Sequence, residues 1–418
     1  MYKVEDSVAV VSVHRRLLSR TRAPGVRRTV VLLGITSLLT DISSEMFSTI
    51  LPLYLITVLG AAPVVFGLID GLYQGAAALV QLASGVAGDR WRRHKELAAS
   101  GYGLSAICKL ALIAAGSAWA AIAAVVLLER TGKGIRTAPR DAMISMAVPK
   151  EELGAAFGVH RALDTTGAML GPIVAFGVLA LVPMGFDQVF VVSFGFAVIG
   201  LAVLLAFVPR EHGTAPAPGA RRPGLGDAAK LLRHRHFRGL AVAGALLGLV
   251  TMSDAFIYLG VQRQLDLPLT AFPLLFLGMS AVYMLLAVPA GRLADRVGRT
   301  KVFLAGYALL LVAYGALVSP LAGAALIVVV LAAHGTFYAA TDGVLAALAS
   351  AALPEANRGS GLALLNTATG LTKFAASLAF GALWSLAGLQ TAVLCFAGGL
   401  LAALACAALV LTHRPQHA

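Results

Sequence analysis

Gly85-Val-Ala-Gly-Asp89-Arg90-Trp-Arg-Arg93-His-Lys95 and Gly291-Arg-Leu-Ala-Asp295-Arg296-Val-Gly298-Arg299-Thr-Lys301 are one short loop written twice. Gly85, Asp89, Arg90, Arg93 and Lys95 recur as Gly291, Asp295, Arg296, Arg299 and Lys301 at a constant offset, and Pro149 with Gly154 recurs as Pro354 with Gly359 at nearly the same one. The offset is roughly half the chain, so two homologous halves are expected.

Each copy sits between apolar runs long enough to cross about 30 Å of hydrocarbon as helix. Working outward gives spans at 30–58, 64–87, 97–116, 119–146, 155–182 and 188–208, then 239–262, 269–290, 301–318, 321–350, 361–385 and 390–412. The expected organisation is a tail (1–29), a six-helix bundle (30–208), a linker (209–238), a second six-helix bundle (239–412) and a short tail (413–418). That is an all-α membrane protein of twelve transmembrane helices in two pseudo-symmetric bundles. Pro209 to Arg238 is rich in Pro, Gly, Arg and His and cannot bury a core, although a short amphipathic helix near Asp227 to His236 is expected within it.

Composition agrees. Of 418 residues, 59% are hydrophobic and 13% charged, against about 25% charged in a soluble domain. The net charge of +13 does not mark a nucleic-acid binder, because Lys and Arg fall mostly between apolar runs, as cytoplasmic loops require. Arg90, Arg92, Arg93 and Lys95 lie on the same side as Arg292, Arg296, Arg299 and Lys301, while the opposite side offers essentially Arg263. Both termini are therefore expected in the cytoplasm, and the basic N-terminal stretch reads as a tail and not a secretory signal. Cys108, Cys395 and Cys406 all lie in apolar runs and read as small core side chains, not a disulfide or zinc framework.

Four motifs together resemble the major facilitator superfamily over nearly the whole chain. The duplicated loop is similar to the family's connection between the second and third helices, with Arg92 standing where Gly is usual and Gly298 kept in the second copy. Arg130-Thr-Gly-Lys-Gly134 resembles the buried-arginine motif that the family associates with proton coupling. Gly167-Ala-Met-Leu-Gly171-Pro172 is similar to the motif of exporters that exchange substrate against protons; physically, Gly-x-x-x-Gly followed by Pro makes a close-packed, kinkable helix. Asp41-Ile-Ser-Ser44-Glu45, with Lys133 to Asp141, resembles bacterial exporters described as nickel or drug resistance proteins, although a histidine-rich tail is missing. The resemblance implies a cavity lined by the first, fourth, seventh and tenth helices. It also implies gating roles for Gly85, Asp89, Arg90, Arg93, Gly167, Gly171, Pro172, Gly291, Asp295, Arg296 and Arg299.

Ionisable residues inside apolar spans carry the rest, since each costs about 2.5–3.5 kcal/mol at mid-helix and must face a cavity or a partner. Asp41 and Glu45 lie one turn apart and repel when both are ionised, so they read either as proton carriers or as fixed partners of cations on the fourth span. Glu129, Lys133, Arg136 and Arg140 form one stripe, with Arg130 and Asp141 about a quarter-turn away. Such a stripe either binds an anion or neutralises Asp41, Glu45 and Asp164. Arg161 and Asp164 are spaced for an intrahelical pair, Lys109 needs a carboxylate, and Asp70 is placed to hold the outer side closed. The proton-coupling candidates are Asp41, Glu45, Arg130 and Asp164. The substrate-cavity candidates are Gln74, Glu129, Lys133, Arg136, Asp254, Tyr258, His334, Tyr338, Asp342, Asn366 and Lys373. His334, Tyr338 and Asp342, with Asp254, read either as core polar residues or as a divalent-cation site.

The expected function is proton-coupled efflux of a small molecule by alternating access from the plasma membrane, the alternatives being a divalent-metal exporter or a uniporter or importer of an organic solute. The partners are substrate, protons and lipid, with no nucleic acid, no cofactor and no resident metal, and the chain is expected to act as a monomer. No nucleophile-and-base set suggests an enzyme.

Overall fold

The computed structural model describes residues 24–75, 80, 93–149, 152–209, 231–353 and 358–412. Gly85, Asp89, Arg90, Arg92, Pro354, residues 1–23 and 413–418 of the tails and residues 210–230 of the linker lie outside these. All regular structure among the described residues is helical.

The first span is Pro24–Leu53, extended by one π-helical stretch, Tyr54–Val58. The second is helical over 63–75 as far as it is described. His94–Ala115, Trp119–Met146, Leu153–Leu181 and Phe186–Phe207 complete the first half. In the second half the seventh span comes in two pieces, Arg235–Leu249 and Asp254–Leu265, followed by Phe272–Val297, Arg299–Leu317 and Gly323–Ala351. The last two passes form one helical run, Arg358–Thr412, turned at Gly388 with φ 84°. Of the segment expected near Asp227 to His236, residues 227–230 lie outside the described ones, and Leu231–Arg233 forms a 3-10 turn leading into the seventh span.

Nine helical stretches among the described residues are long and apolar enough to cross a membrane. Trp119–Met146 is not among them, because it carries Glu129, Arg130, Lys133, Arg136, Arg140 and Asp141. The bent run at Gly388 holds two passes, and the second span is described in part. The fold is thus an all-α membrane protein of twelve passes in two pseudo-symmetric bundles. Matching pairs of helices pack in the two halves: the first span lies on the fifth and sixth as the seventh lies on the eleventh-to-twelfth run, and the third on the fourth as the ninth on the tenth.

Burial is arranged for an apolar surround. Ile107, Leu285, Val328 and Leu401 are exposed on the outside, while Lys109 and Glu129 are fully buried. Lipid, unlike water, tolerates the first and forbids the second unless it is paired. Cys395 and Cys406 are exposed, which corrects their reading as core side chains, whereas Cys108 is buried.

Small residues set the closest approaches, as expected where helices associate without a hydrophobic driving force. A Cβ at Gly167 would run into the Leu38 carbonyl, and one at Gly171 would lie 2.6 Å from the Glu45 Cβ and 2.9 Å from the Ile42 carbonyl, so the Gly-x-x-x-Gly of the fifth span rests on the backbone of the first. In the second copy of the repeated loop, Gly298 separates the eighth and ninth spans at φ 110°, a conformation that L side chains rarely adopt. Asp295 there pairs with Arg299 at 2.9 Å. Of the first copy, the Lys95 ammonium donates to the carbonyls of Leu205 and Val208 at 2.9 and 2.6 Å, capping the end of the sixth span.

The halves meet at the face that carries the turns after the first, seventh and eleventh spans. Phe66 and Phe256 stack edge to face at 4.9 Å, and the Val64 N–H donates to the Ser385 hydroxyl at 2.9 Å. Asp70 accepts a hydrogen bond from Ser377, and Gly67 lies against Gly381, where a Cβ on Gly67 would run into the Ser377 carbonyl and one on Gly381 into the Pro63 carbonyl.

Candidate functional site

The fourth span keeps its charges by pairing them. Glu129 is fully buried and accepts from Ser105 Oγ at 3.0 Å, Lys109 Nζ at 3.0 Å and Arg130 Nε at 2.6 Å. Gly101 and Gly132 make this possible by bringing the third and fourth spans together: a Cβ on either would lie within 2.7 Å of the other's carbonyl oxygen. Lys109 also lies over the Phe47 ring at 4.5 Å and the Arg130 guanidinium over the Tyr73 ring at 3.6 Å, which ties the cluster to the first two spans. Glu129 is therefore the carboxylate that Lys109 needs. In this structure the Arg130 side chain bends back onto its own neighbour Glu129, and it is Arg136 that reaches Asp41. Arg130 is 4% exposed, and its Nη2 is buried with no hydrogen-bond partner among the described residues.

A second cluster joins the first, fourth and fifth spans. Arg136 lies 3.7 Å from Asp41 and donates to Ser44 Oγ at 3.4 Å. Arg140 reaches Asp141 at 2.9 Å, Asp164 at 3.7 Å and Ser37 Oγ at 3.0 Å, and Ser37 donates to Asp164 at 3.0 Å. Arg161 closes the group 3.6 Å from Asp164, in the spacing expected of an intrahelical pair. Three acids meet three bases, Asp41 and Asp164 also hydrogen-bond each other, and Arg136 and Arg140 are buried.

Glu45, one turn from Asp41, is placed differently. It is half-buried, and its carboxylate accepts from Ser48 Oγ at 2.9 Å. Among the described residues no cation lies within ion-pair distance of it, because the neighbouring cations are committed to Glu129 and Asp41. Lys133 is half-buried on the same side of the bundle.

The second half places its polar residues at a break. The seventh span stops at Leu249 and restarts at Asp254, with Ser253 as its N-cap residue. Tyr314 holds the gap: its hydroxyl accepts from the Met252 N–H at 2.6 Å and donates to the Val250 carbonyl at 3.2 Å. Asp254 sits in the first turn of the new helix, where the helix dipole favours a carboxylate. Its Oδ1 accepts from Tyr338 at 2.7 Å and lies 3.3 Å from His334 Nε2, and His334 Nδ1 is 3.1 Å from the Tyr258 hydroxyl. With Nε2–H donating to Asp254, Nδ1 accepts from Tyr258. Asp342 does not join this network, which shortens the expected row by one residue, and Asn366 is exposed away from it. No group of three His, Cys, Asp or Glu side chains among the described residues is placed to hold a metal ion.

A pocket opens at the break, lined by Gln74 from the second span, Thr251, Met252, Ser253 and Asp254 from the seventh, Tyr338 from the tenth and Lys373 from the eleventh. Its roof is the inter-half contact, since Asp70 and Ser377 stand one turn from Gln74 and Lys373. The sequence reading did not include Thr251, Met252, Ser253, Ser377 or Tyr314. The first three carried a signal in Ser253-Asp254, a helix-start pair inside an apolar span.

Residues 33–282 and 240–418 match the sequence profile of the Major Facilitator Superfamily. An uncharacterized MFS-type transporter of Methanocaldococcus jannaschii is 33% identical over 388 residues, covering 90% of this chain and 94% of the relative. Among solved structures, the nucleoside transporter NupG aligns with a TM-score of 0.73 at 16% identity over 92% of this chain and all of its own. A bacterial homologue of the human lysosomal transporter Spinster, in an inward-facing conformation, aligns at 0.70 and 14% identity over 95% of this chain and all of its own. At those identities the likeness is one of fold.

Proposed function

Because this chain belongs to the major facilitator superfamily, and is a multi-pass membrane transporter rather than an enzyme, we propose that it exports a small molecule in exchange for protons, with Glu45 as the proton carrier. One observation carries the choice: among the described residues Glu45 is a half-buried acid inside a span with no cation in ion-pair distance, and Arg130 nearby has a buried nitrogen without a partner. A carboxylate in that position is tolerated when it takes up a proton or finds a cation. Asp41 and Asp164 lie among arginines and hydrogen-bond each other, and we assign them a structural part.

The cycle follows from two alternative partners for one acid. Deprotonated Glu45 is drawn to the open side of Arg130; protonated, it rests on Ser48, and the bias on the two bundles changes. The basic residues Lys95, Arg235, Arg238, Arg292, Arg296, Arg299 and Lys301 gather at the ends of spans opposite the closed face, whereas that face has Arg263. By the positive-inside rule we place the closed face outside and both termini in the cytoplasm, and we assign the chain to the plasma membrane.

Everted vesicles with an acid lumen, screened for compounds that collapse the gradient, test this reading. A compound should do so with the wild type and fail with Glu45→Gln, while Glu45→Gln still exchanges that compound across the membrane in counterflow. Transport that moves no protons, or a Glu45→Gln variant that still collapses the gradient, would refute it.

A further inference from the structure

We propose that the substrate is amphoteric, a small molecule whose anionic group engages the free Nη2 of Arg130 and whose cationic group engages Asp254; this rests on the transport reading above. Two observations meet here. Arg130 is a buried cation whose guanidinium plane is fixed on Tyr73 at 3.6 Å and whose Nε is taken by Glu129, which leaves Nη2 buried without a partner among the described residues. Glu129 is shared between Arg130 and Lys109, so while Glu45 is protonated this group holds one more positive charge than negative. A carboxylate or phosphate is the complement of such a nitrogen.

Across the interface between the halves lies the opposite charge. The contacts of Asp254 with the neutral Tyr338 hydroxyl and with His334 Nε2 both use Oδ1, and the carboxylate lines the pocket together with Lys373. An ammonium group is its complement. The two ends are joined by consecutive residues of the second span: Tyr73 carries Arg130, and Gln74 lines the pocket with Asp254. A ligand beside Tyr73 and Gln74 therefore touches both halves, one through each of its charges. A ligand of a single charge engages only one of the two, Arg130 or Asp254.

The test uses purified full-length protein and a ladder of ω-aminocarboxylates of increasing chain length, each compared with the alkylamine and the alkanoate of the same length. Thermal stabilisation reads binding. An ω-aminocarboxylate of one optimal length should bind, and loss of either charge should weaken it by about tenfold or more. Asp254→Asn should abolish the preference for the amine and Arg130→Gln the preference for the carboxylate, with Arg130→Lys restoring part of it. The ligand comparison on wild-type protein stands even if Arg130→Gln fails to fold. No stabilisation by any amphoteric member, equal binding of the singly charged analogues, or a carboxylate preference lost in Lys373→Gln but kept in Arg130→Gln would overturn the proposal. Proton flux is a separate readout. Gradient collapse by a singly charged compound, undiminished in Asp254→Asn, removes the amphoteric substrate and leaves proton coupling standing. Amphoteric binding without proton flux does the reverse.

Discussion

Glu129 serves two cations at once, at 3.0 and 2.6 Å, from a site without solvent. Breaking a buried pair by removing one partner costs about 3–5 kcal/mol, because the other charge stays behind unanswered. Glu129→Ala strands two charges and should lower the melting temperature in detergent severely or prevent folding. Lys109→Met removes one cation and leaves a one-to-one pair with Arg130, so it should be far milder. Equal losses from the two substitutions, measured by intrinsic fluorescence on heating, would show that Glu129 is not a shared counter-ion. The same logic separates two acids one turn apart: Asp41 has Arg136 within 3.7 Å, whereas Glu45 has Ser48. Their difference is made by the helices that surround them and not by their own positions in the chain.

At the scale of the element, the fifth span owes its place to Gly167 and Gly171, whose missing side chains admit the backbone of the first span beside Asp41 and Glu45. Gly171→Val should push the spans apart, disturb both acids and abolish transport, with a loss of thermal stability. Gly177→Val, on the same helix where a Cβ meets nothing within 4 Å, should leave both unchanged. A Gly171→Val variant with normal flux would mean that the close approach is dispensable. This contact was legible in the sequence as Gly-x-x-x-Gly, and so were the twelve passes, because both are written in local spacing. So too was the Arg161 and Asp164 pair, three residues apart on one helix. The partner of Lys109 was not legible: Glu129 lies on a different helix, and the register between the third and fourth spans is set by Gly101 and Gly132 meeting face to face. Nor was the break at 250–253, since those residues are apolar enough to continue a helix and the Tyr314 hydroxyl that holds the gap comes from a distant span. The stripe of the fourth span was visible, yet side-chain length undid its division of labour, with Arg130 turning back to Glu129 off its own helical face.

At the scale of the whole molecule, closure at the face of the 59–62 turn depends on backbone meeting backbone between the halves. A Cβ at Gly381 would run into the Pro63 carbonyl and lie 3.1 Å from the Cα of Gly67, so a longer side chain there cannot rotate out of the way. When the halves separate at this face the obstruction vanishes. Gly381→Leu should therefore penalise the closed arrangement without touching the pocket residues, and a molecule that must close this face in every cycle should lose its flux. Accessibility reads the same shift directly. With Cys395 and Cys406 replaced, Ser253→Cys lies just beneath the closure, and an impermeant thiol reagent added from that face should label it about tenfold faster in Gly381→Leu, the signature of a population shift of about 1.4 kcal/mol. Gly195→Leu, where a Cβ meets nothing within 4 Å, controls for the added bulk and should label and transport as the parent does. Unchanged labelling in Gly381→Leu, or faster labelling with full flux, would mean that this face does not act as a gate and that the two halves do not rock about the pocket between them.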